Sequence, residues 1–231
     1  MAVDAEHIHV VAWPFVREPF SAFTHLLGAL VFALFAAKLI RKGRGDRVRM
    51  LSLAIFAGCT IELLLMSGIY HLFWPGPARH LLLRIDVAGI FLLIAASMTP
   101  GHAILFKGVG RWGSLALIWG VAIGGIIWRV ILNDSSPGTA GIVIFLLFGW
   151  GSLWTAIILW RRYGWTFIQP AFLSGVSYSI GAICLVQGFP ILWPGVIEPH
   201  EFWHLTVLLG LALQWKFVSQ FASGEVVTRP A

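Results

Sequence analysis

The run Leu81-Leu82-Leu83-Arg84-Ile85-Asp86-Val87-Ala88-Gly89-Ile90-Phe91-Leu92-Leu93-Ile94-Ala95-Ala96-Ser97-Met98-Thr99 decides how this chain folds. It is apolar almost throughout, interrupted only near its start by Arg84 and Asp86. At about 1.5 Å per residue such a run makes a helix of roughly 28 Å, close to the hydrocarbon thickness of a bilayer. It is too long and too uniformly apolar for a barrel strand, which alternates in polarity over about ten residues. An unpaired strand would leave its backbone unsatisfied in lipid, so the segment reads as a membrane-crossing helix.

Outward from it, six more apolar runs follow the same reading. Upstream lie about Phe20 to Ile40 and about Met50 to Phe73, and downstream about Trp112 to Leu132, Thr139 to Trp160, Phe167 to Gln187 and His200 to Phe221. Pro75-Gly76-Pro77, Pro100-Gly101 and Asn133-Asp134-Ser135-Ser136-Pro137-Gly138 are turn signals between them. Pro199 stands where a helix start favours proline. The expectation is an all-α integral membrane protein, a seven-transmembrane-helix bundle forming one membrane domain over residues 1–231.

Composition agrees. Hydrophobic residues make up 58% of the chain and charged residues 11%, whereas a soluble domain carries roughly 25% charge. That excludes an ordinary soluble globular class. The net charge of +6 sits in clusters near the ends of the runs and reads as topology; no nucleic-acid motif accompanies it, so no nucleic-acid partner is expected and membrane lipids are. Cys59 and Cys184 fall inside apolar runs and read as free thiols. Residues 1–20 contain no apolar signal-peptide core.

Lys and Arg set the orientation. One side carries Lys38, Arg41, Lys42, Arg44, Arg47, Arg49, Lys107, Arg111, Arg161, Arg162, Lys216 and Arg229; the other carries Arg17, Arg79, Arg84 and Arg129. This predicts an N-terminus outside and a C-terminus in the cytoplasm.

Ionisable residues inside spans are costly and point to function. His200 and His204 are four apart, so on a helix both rings leave one face. Ser67 and His71 share a face near the end of the second span. The turn at Gly76 folds the third span back, bringing Asp86 to the depth of Ser67, and the connector before Pro199 emerges on that same side. Ser67, His71, Asp86, His200 and His204 therefore approach one face of the bilayer, the outer one by the charge count. Three neutral imidazoles with an open fourth position describe a catalytic zinc site, with His71, His200 and His204 as ligands. Such an ion lowers the pKa of its water to about 7; Asp86 then serves as general base or orients the water, and Ser67 hydrogen-bonds to it. The absence of Cys or Met from the cluster disfavours a soft or redox metal.

Glu18, Ser21 and His25 also share a helical face, and either line the same cavity or cap the first helix. Glu62 lies on roughly the opposite face from His71 and reads as a carboxyl against another helix, not a ligand. His7, His9, His80 and His102 read as solvated terminal or loop residues, and Arg84 as a partner for a lipid headgroup. The pairs Trp112/Trp119 and Trp150/Trp154 read as packing or interface residues.

At three of these places the chain resembles the progestin and adiponectin Q receptor family and, within it, the bacterial haemolysin III branch. The family's Ser-x3-His stands here as Ser67 to His71, its third-helix segment as Arg84 to Ser97 followed by Thr99-Pro100, and its closing His-x3-His as His200 to His204. Its first-helix pattern is present in Glu18, Thr24 and His25, but Ser21 replaces the usual Asn. The resemblance implies zinc on His71, His200 and His204, with Asp86 and Ser67 around its water, and kinship with membrane hydrolases such as the alkaline ceramidases. In the adiponectin receptors the zinc faces the cytoplasm, opposite to the side the charge count gives here. The expected function is a zinc-dependent hydrolase of a lipid amide or ester; the alternative is a non-catalytic receptor or regulator of membrane state with a structural zinc, and a channel or cytolysin ranks last because few charges lie within the spans.

Overall fold

The computed structural model describes residues 12, 14–128 and 139–226. The described chain is helical: α1 (Pro19–Lys42), α2 (Arg47–Leu72), α3 (Pro77–Leu105), α4 (Val109–Ile126), α5 (Thr139–Trp150), α6 (Leu153–Tyr163), α7 (Trp165–Gln187) and α8 (Pro199–Ser219). No β-sheet forms among the described residues; an isolated bridge joins Trp193 to Ile197 in the connector before α8. His7, His9 and the expected turn at 133–138 lie outside the described residues.

Local chemistry sets the helix ends. α1, α3 and α8 each begin with proline in the first turn, where its missing N–H costs nothing. Asp46 caps α2 by accepting the Arg49 N–H at 2.9 Å. At α8, Glu198 and Glu201 form a capping box.

Among the described residues, six helical runs are long and apolar enough to cross a membrane: α1, α2, α3, α4, α7 and Thr139–Tyr163, in which α5 and α6 continue one another. α8 is not among them, because His200, Glu201, His204, Gln214 and Lys216 dilute its apolar content. The polarity of the molecule is inverted relative to a soluble protein. Leu27, Leu34, Leu117, Leu147 and Trp154 are exposed, while Glu18, His25, Ser67, His71, Glu201 and His204 are buried. With polar groups inside and hydrocarbon outside, the surrounding medium is lipid.

Two sequence expectations are corrected. α3 does not stop at Pro100 but runs on to Leu105. Proline inside a membrane helix is tolerated because neighbours and side chains reoccupy the freed backbone groups; beside it, the Thr99 hydroxyl donates to the Ala95 carbonyl at 2.8 Å. His102 is therefore a buried helical residue, not a solvated loop one, with Nδ1 at 3.3 Å from the Gly110 carbonyl. The run expected as one helix from Thr139 to Trp160 is instead broken at Gly151-Ser152, where the Ser152 N–H turns back to the Gly149 carbonyl at 3.2 Å. A Gly/Ser pair is a common place for such a hitch.

Packing places one end of the bundle for function. α1 lies on α2, α2 on α3, and α7 on α8. Gly68 lets α1 and α2 come close: a Cβ there would sit 3.1 Å from the Leu26 backbone nitrogen. Ala29 and Phe32 of α1, Leu63 and Leu64 of α2, Leu93 of α3, and Val207 and Leu211 of α8 form one buried cluster. These positions lie one or two turns inward from His25, Ser67, Asp86 and His204, so the cluster makes a dry floor beneath them.

Candidate metal centre

His71 ends α2, and His200 and His204 occupy the first two turns of α8. The capping box fixes where α8 starts and thus the height of His200. The three side chains offer ligand atoms that all lie within 4.8 Å of one another. The Nε2 atoms of His204 and His200 are 3.0 Å apart, and those of His200 and His71 are 3.5 Å apart. Nitrogens bound at about 2.0–2.1 Å in a tetrahedron stand about 3.3 Å apart, so these separations bracket what zinc requires. The three rings also meet at steep angles, with centroids 4.7 to 5.1 Å apart. Converging nitrogens on rings that do not stack suit one shared cation. The residues present therefore fit a three-histidine metal site.

Glu18 supports this site from behind. Its carboxylate accepts a hydrogen bond from His71 Nδ1, which makes Nδ1 the protonated nitrogen and leaves the Nε2 lone pair facing His200. The same carboxylate receives Arg79 Nη2 at 2.9 Å and Arg17 Nε at 3.2 Å. Arg79 is further held by the carbonyls of Tyr70 at 3.3 Å and Phe73 at 2.6 Å, and its guanidinium lies over the Tyr70 ring. Burial pushes the Glu18 carboxyl upward, but the His71 hydrogen bond and the charge of Arg79 outweigh it and hold the group well below the usual carboxylate range. Of the two roles open to Glu18, the cavity is the observed one; its side chain makes no cap bond to α1.

Ser67 and Asp86 stand at one level, as the turn at Gly76 predicts. The Ser67 hydroxyl lies close enough to the Asp86 carboxyl to act on it electrostatically. Ser67 Oγ is also 2.9 Å from His25 Nδ1, and the His25 ring stacks on His204 at a centroid distance of 3.9 Å. A continuous path of contacts thus runs from Asp86 through Ser67 and His25 to the imidazole cluster. Ser21 donates to Glu201 Oε1 at 3.0 Å, so the residue that replaces the familiar Asn ties α1 to α8.

Sequence reasoning missed Arg79 and Glu201. Arg79 was expected as a loop charge; it is buried against Glu18. His200-Glu201-x-x-His204 also matches a metalloprotease pattern in which the glutamate is general base. Here Glu201 is fully buried, accepting from Ser21 and from the Glu198 N–H at 3.3 Å, so its carboxylate is spent on holding the start of α8. Glu62 lies against α3, 3.3 Å from where a Cβ on Gly89 would stand, and outside the metal cluster. His80 is exposed, as expected.

Comparison with known proteins places this geometry. The chain is 28% identical over 204 residues to hemolysin-3 of Bacillus cereus, covering 87% of this chain and 90% of that one. It is 26% identical over 198 residues to the hemolysin-3 homolog of Bacillus subtilis, covering 85% and 90%. It is also 29% identical to heptahelical transmembrane protein 1 of Arabidopsis thaliana, covering 85% of this chain and 67% of that one. The model of the haemolysin-III related family matches residues 13–215, the region that holds every residue of the cluster. The chain belongs to the haemolysin-III related family.

Proposed function

We propose that this protein is a zinc-dependent membrane hydrolase that cleaves an amide or ester of a lipid, with His71, His200 and His204 as the metal ligands. The observation that carries the reading is the convergence of three Nε2 atoms, from the buried His71 and His204 and the half-buried His200, with Ser67 linked to them through His25. A zinc ion held there supplies Lewis acidity and lowers the pKa of a bound water to about 7. Glu18 keeps His71 in the tautomer that presents Nε2. With the ion bound, Asp86 would take the proton of the attacking water on a carboxylate oxygen and return it to the departing nitrogen or oxygen, with the Ser67 hydroxyl beside that carboxylate. The apolar floor keeps bulk water from beneath the histidine cluster.

In the same reading α8 is the seventh span, and the protein lies in the bacterial plasma membrane with its pocket on the outer face. Support comes from the Arg17 and Arg79 positions: both are spent on Glu18, which leaves that face poorer still in free basic charge. A relative described as heptahelical fits the count.

A second reading has zinc as a clip, since it would join α2 to α8 beside a carboxylate from α1. Incubating the purified, zinc-loaded protein with a broad membrane lipid extract, followed by mass spectrometry of the lipids, separates the two. Release of a free fatty acid that is lost on adding a chelator supports the hydrolase; an unchanged extract refutes it.

A further inference from the structure

A different cavity lies at the opposite end of the bundle. Phe35, Lys38, Leu39 and Lys42 of α1 and Trp215 and Ser219 of α8 line a half-open groove of about 290 Å³. The two helices run in the same direction, from the imidazole cluster toward the arginine-rich loop 41–49, so this cavity sits where both approach the basic face. Lys38 and Lys42 are one turn apart and share a side of α1. Lys42 Nζ reaches across to the Ser219 carbonyl at 3.2 Å and forms one rim. Lys38 is exposed at the mouth.

The approach to the cavity is apolar. Leu27, Val31 and Phe35 recur every fourth residue up α1 and are exposed, at 61%, 41% and 51%. They make a hydrocarbon-facing stripe that ends beneath the two ammonium groups. An indole wall from Trp215, cations at the top and an apolar stripe below reproduce the polarity of one kind of molecule: a phospholipid with a net negative headgroup. The volume is at the small end for ligand sites, enough for a headgroup but not for a whole lipid. Its chains would lie along the α1 stripe.

We infer that the α1–α8 cleft at the basic face binds the headgroup of an anionic phospholipid, with its phosphate between Lys38 and Lys42. Basic pockets between spanning helices recognise such headgroups by charge. The site is separate from the imidazole cluster and does not depend on its chemistry.

The test uses the purified full-length protein in a neutral detergent and three probes: dioleoyl phosphatidylglycerol, dioleoyl phosphatidylcholine and sodium phosphate. Retained lipids are counted by native mass spectrometry, and melting temperature is followed during titration. One phosphatidylglycerol is expected to be retained and to raise the melting temperature, while phosphatidylcholine does neither. Lys38→Gln and Lys42→Gln should each weaken the apparent affinity roughly fivefold, as removing one basic residue does near a membrane anion. Lys38→Arg and Lys42→Arg should bind like the parent, which separates charge from packing. Equal retention of phosphatidylcholine, undiminished binding by both Gln variants, or loss of binding in the Arg variants overturns the inference. Stabilisation by sodium phosphate as large as by the lipid also overturns it, marking a site for the free anion.

Discussion

Glu18 and His71 are joined twice: the Glu18 N–H donates to the His71 carbonyl at 3.1 Å, and the His71 ring donates from Nδ1 to the Glu18 carboxylate. The start of α1 is thereby locked to the end of α2, and the His71 ring, one of the proposed metal ligands, has a fixed tautomer and a fixed direction. Removing the side-chain half of this link should be felt at the metal. Glu18→Gln retains a carbonyl acceptor and most of the packing, but not the charge that makes His71 a stronger donor. Zinc affinity is expected to fall about 10- to 100-fold, measured by competition with a chromophoric chelator. Glu18→Ala should in addition strand the Arg79 guanidinium, at a cost of order 3 kcal/mol in unfolding titrations. Unaltered zinc affinity in Glu18→Gln would contradict the arrangement.

Asp86→Asn and His204→Ala should separate chemistry from architecture. Asparagine keeps the size and polarity of the side chain but cannot take up a proton. That variant is expected to bind a full complement of zinc, melt near the parent temperature and lose lipid turnover by at least about 100-fold. His204→Ala is expected to lose zinc. If Asp86→Asn retains turnover, Asp86 is not the base; if the parent itself turns over no lipid, His204→Ala loses thermal stability and Asp86→Asn is silent, the metal is a clip.

Gly68 sets the spacing of α1 and α2 next to Ser67. In Gly68→Val the side chain would meet the Leu26 backbone, which cannot rotate away as a side-chain tip can. We expect a loss of about 1–3 kcal/mol from overpacking, read as a lower melting temperature. Because His25 and Ser67 come from these same two helices, turnover should fall more than zinc content does.

Asp46 provides a pH signature away from the site. Its carboxylate is held below the usual range by the Arg49 N–H that it caps. A folded-state pKa below the unfolded value of about 3.9 stabilises the protein above that value, and the contribution disappears as pH falls through the lower, folded pKa. Asp46→Asn can still cap but does not titrate, so the acid side of its melting-temperature profile below about pH 4 should be flatter than the parent's. Parallel profiles would mean that the cap contributes nothing.

Topology is open to direct measurement. Periplasm-active and cytoplasm-active reporters fused after Arg44, after Gly76 and at the C-terminus should report inside, outside and inside respectively. A reversed pattern would move the metal site to the cytoplasmic face and with it the pool of accessible lipids.

The spans were legible because a long apolar run has few other ways to exist; their interruptions were less so. Proline was read as a stop at Pro100, although the membrane helix passes through it and carries His102 inside. The Gly151-Ser152 hitch had a local signal that the surrounding apolar run masked. His200, His204 and Ser67 with His71 could be placed because four-residue spacing is a property of one helix, and Asp86 because the turn at Gly76 fixes a register between neighbours. Nothing in spacing links residue 18 to residue 71 or residue 21 to residue 201: those contacts join helices whose relative rotation is set only by packing. Arg79 was the harder case, since a residue two places after Pro77 looks like loop until Glu18 arrives beside it.

One consequence follows from the distance along the chain between His71 and His200, which are 129 residues apart. A polypeptide made from the N-terminus inserts its helices in sequence, so the first imidazole waits in the membrane through the synthesis of five intervening helical segments before the other two appear. A chain halted before α8 would present a single imidazole, so the proposed metal could be loaded only after the last helix is in place, and its retention would report that insertion went to completion.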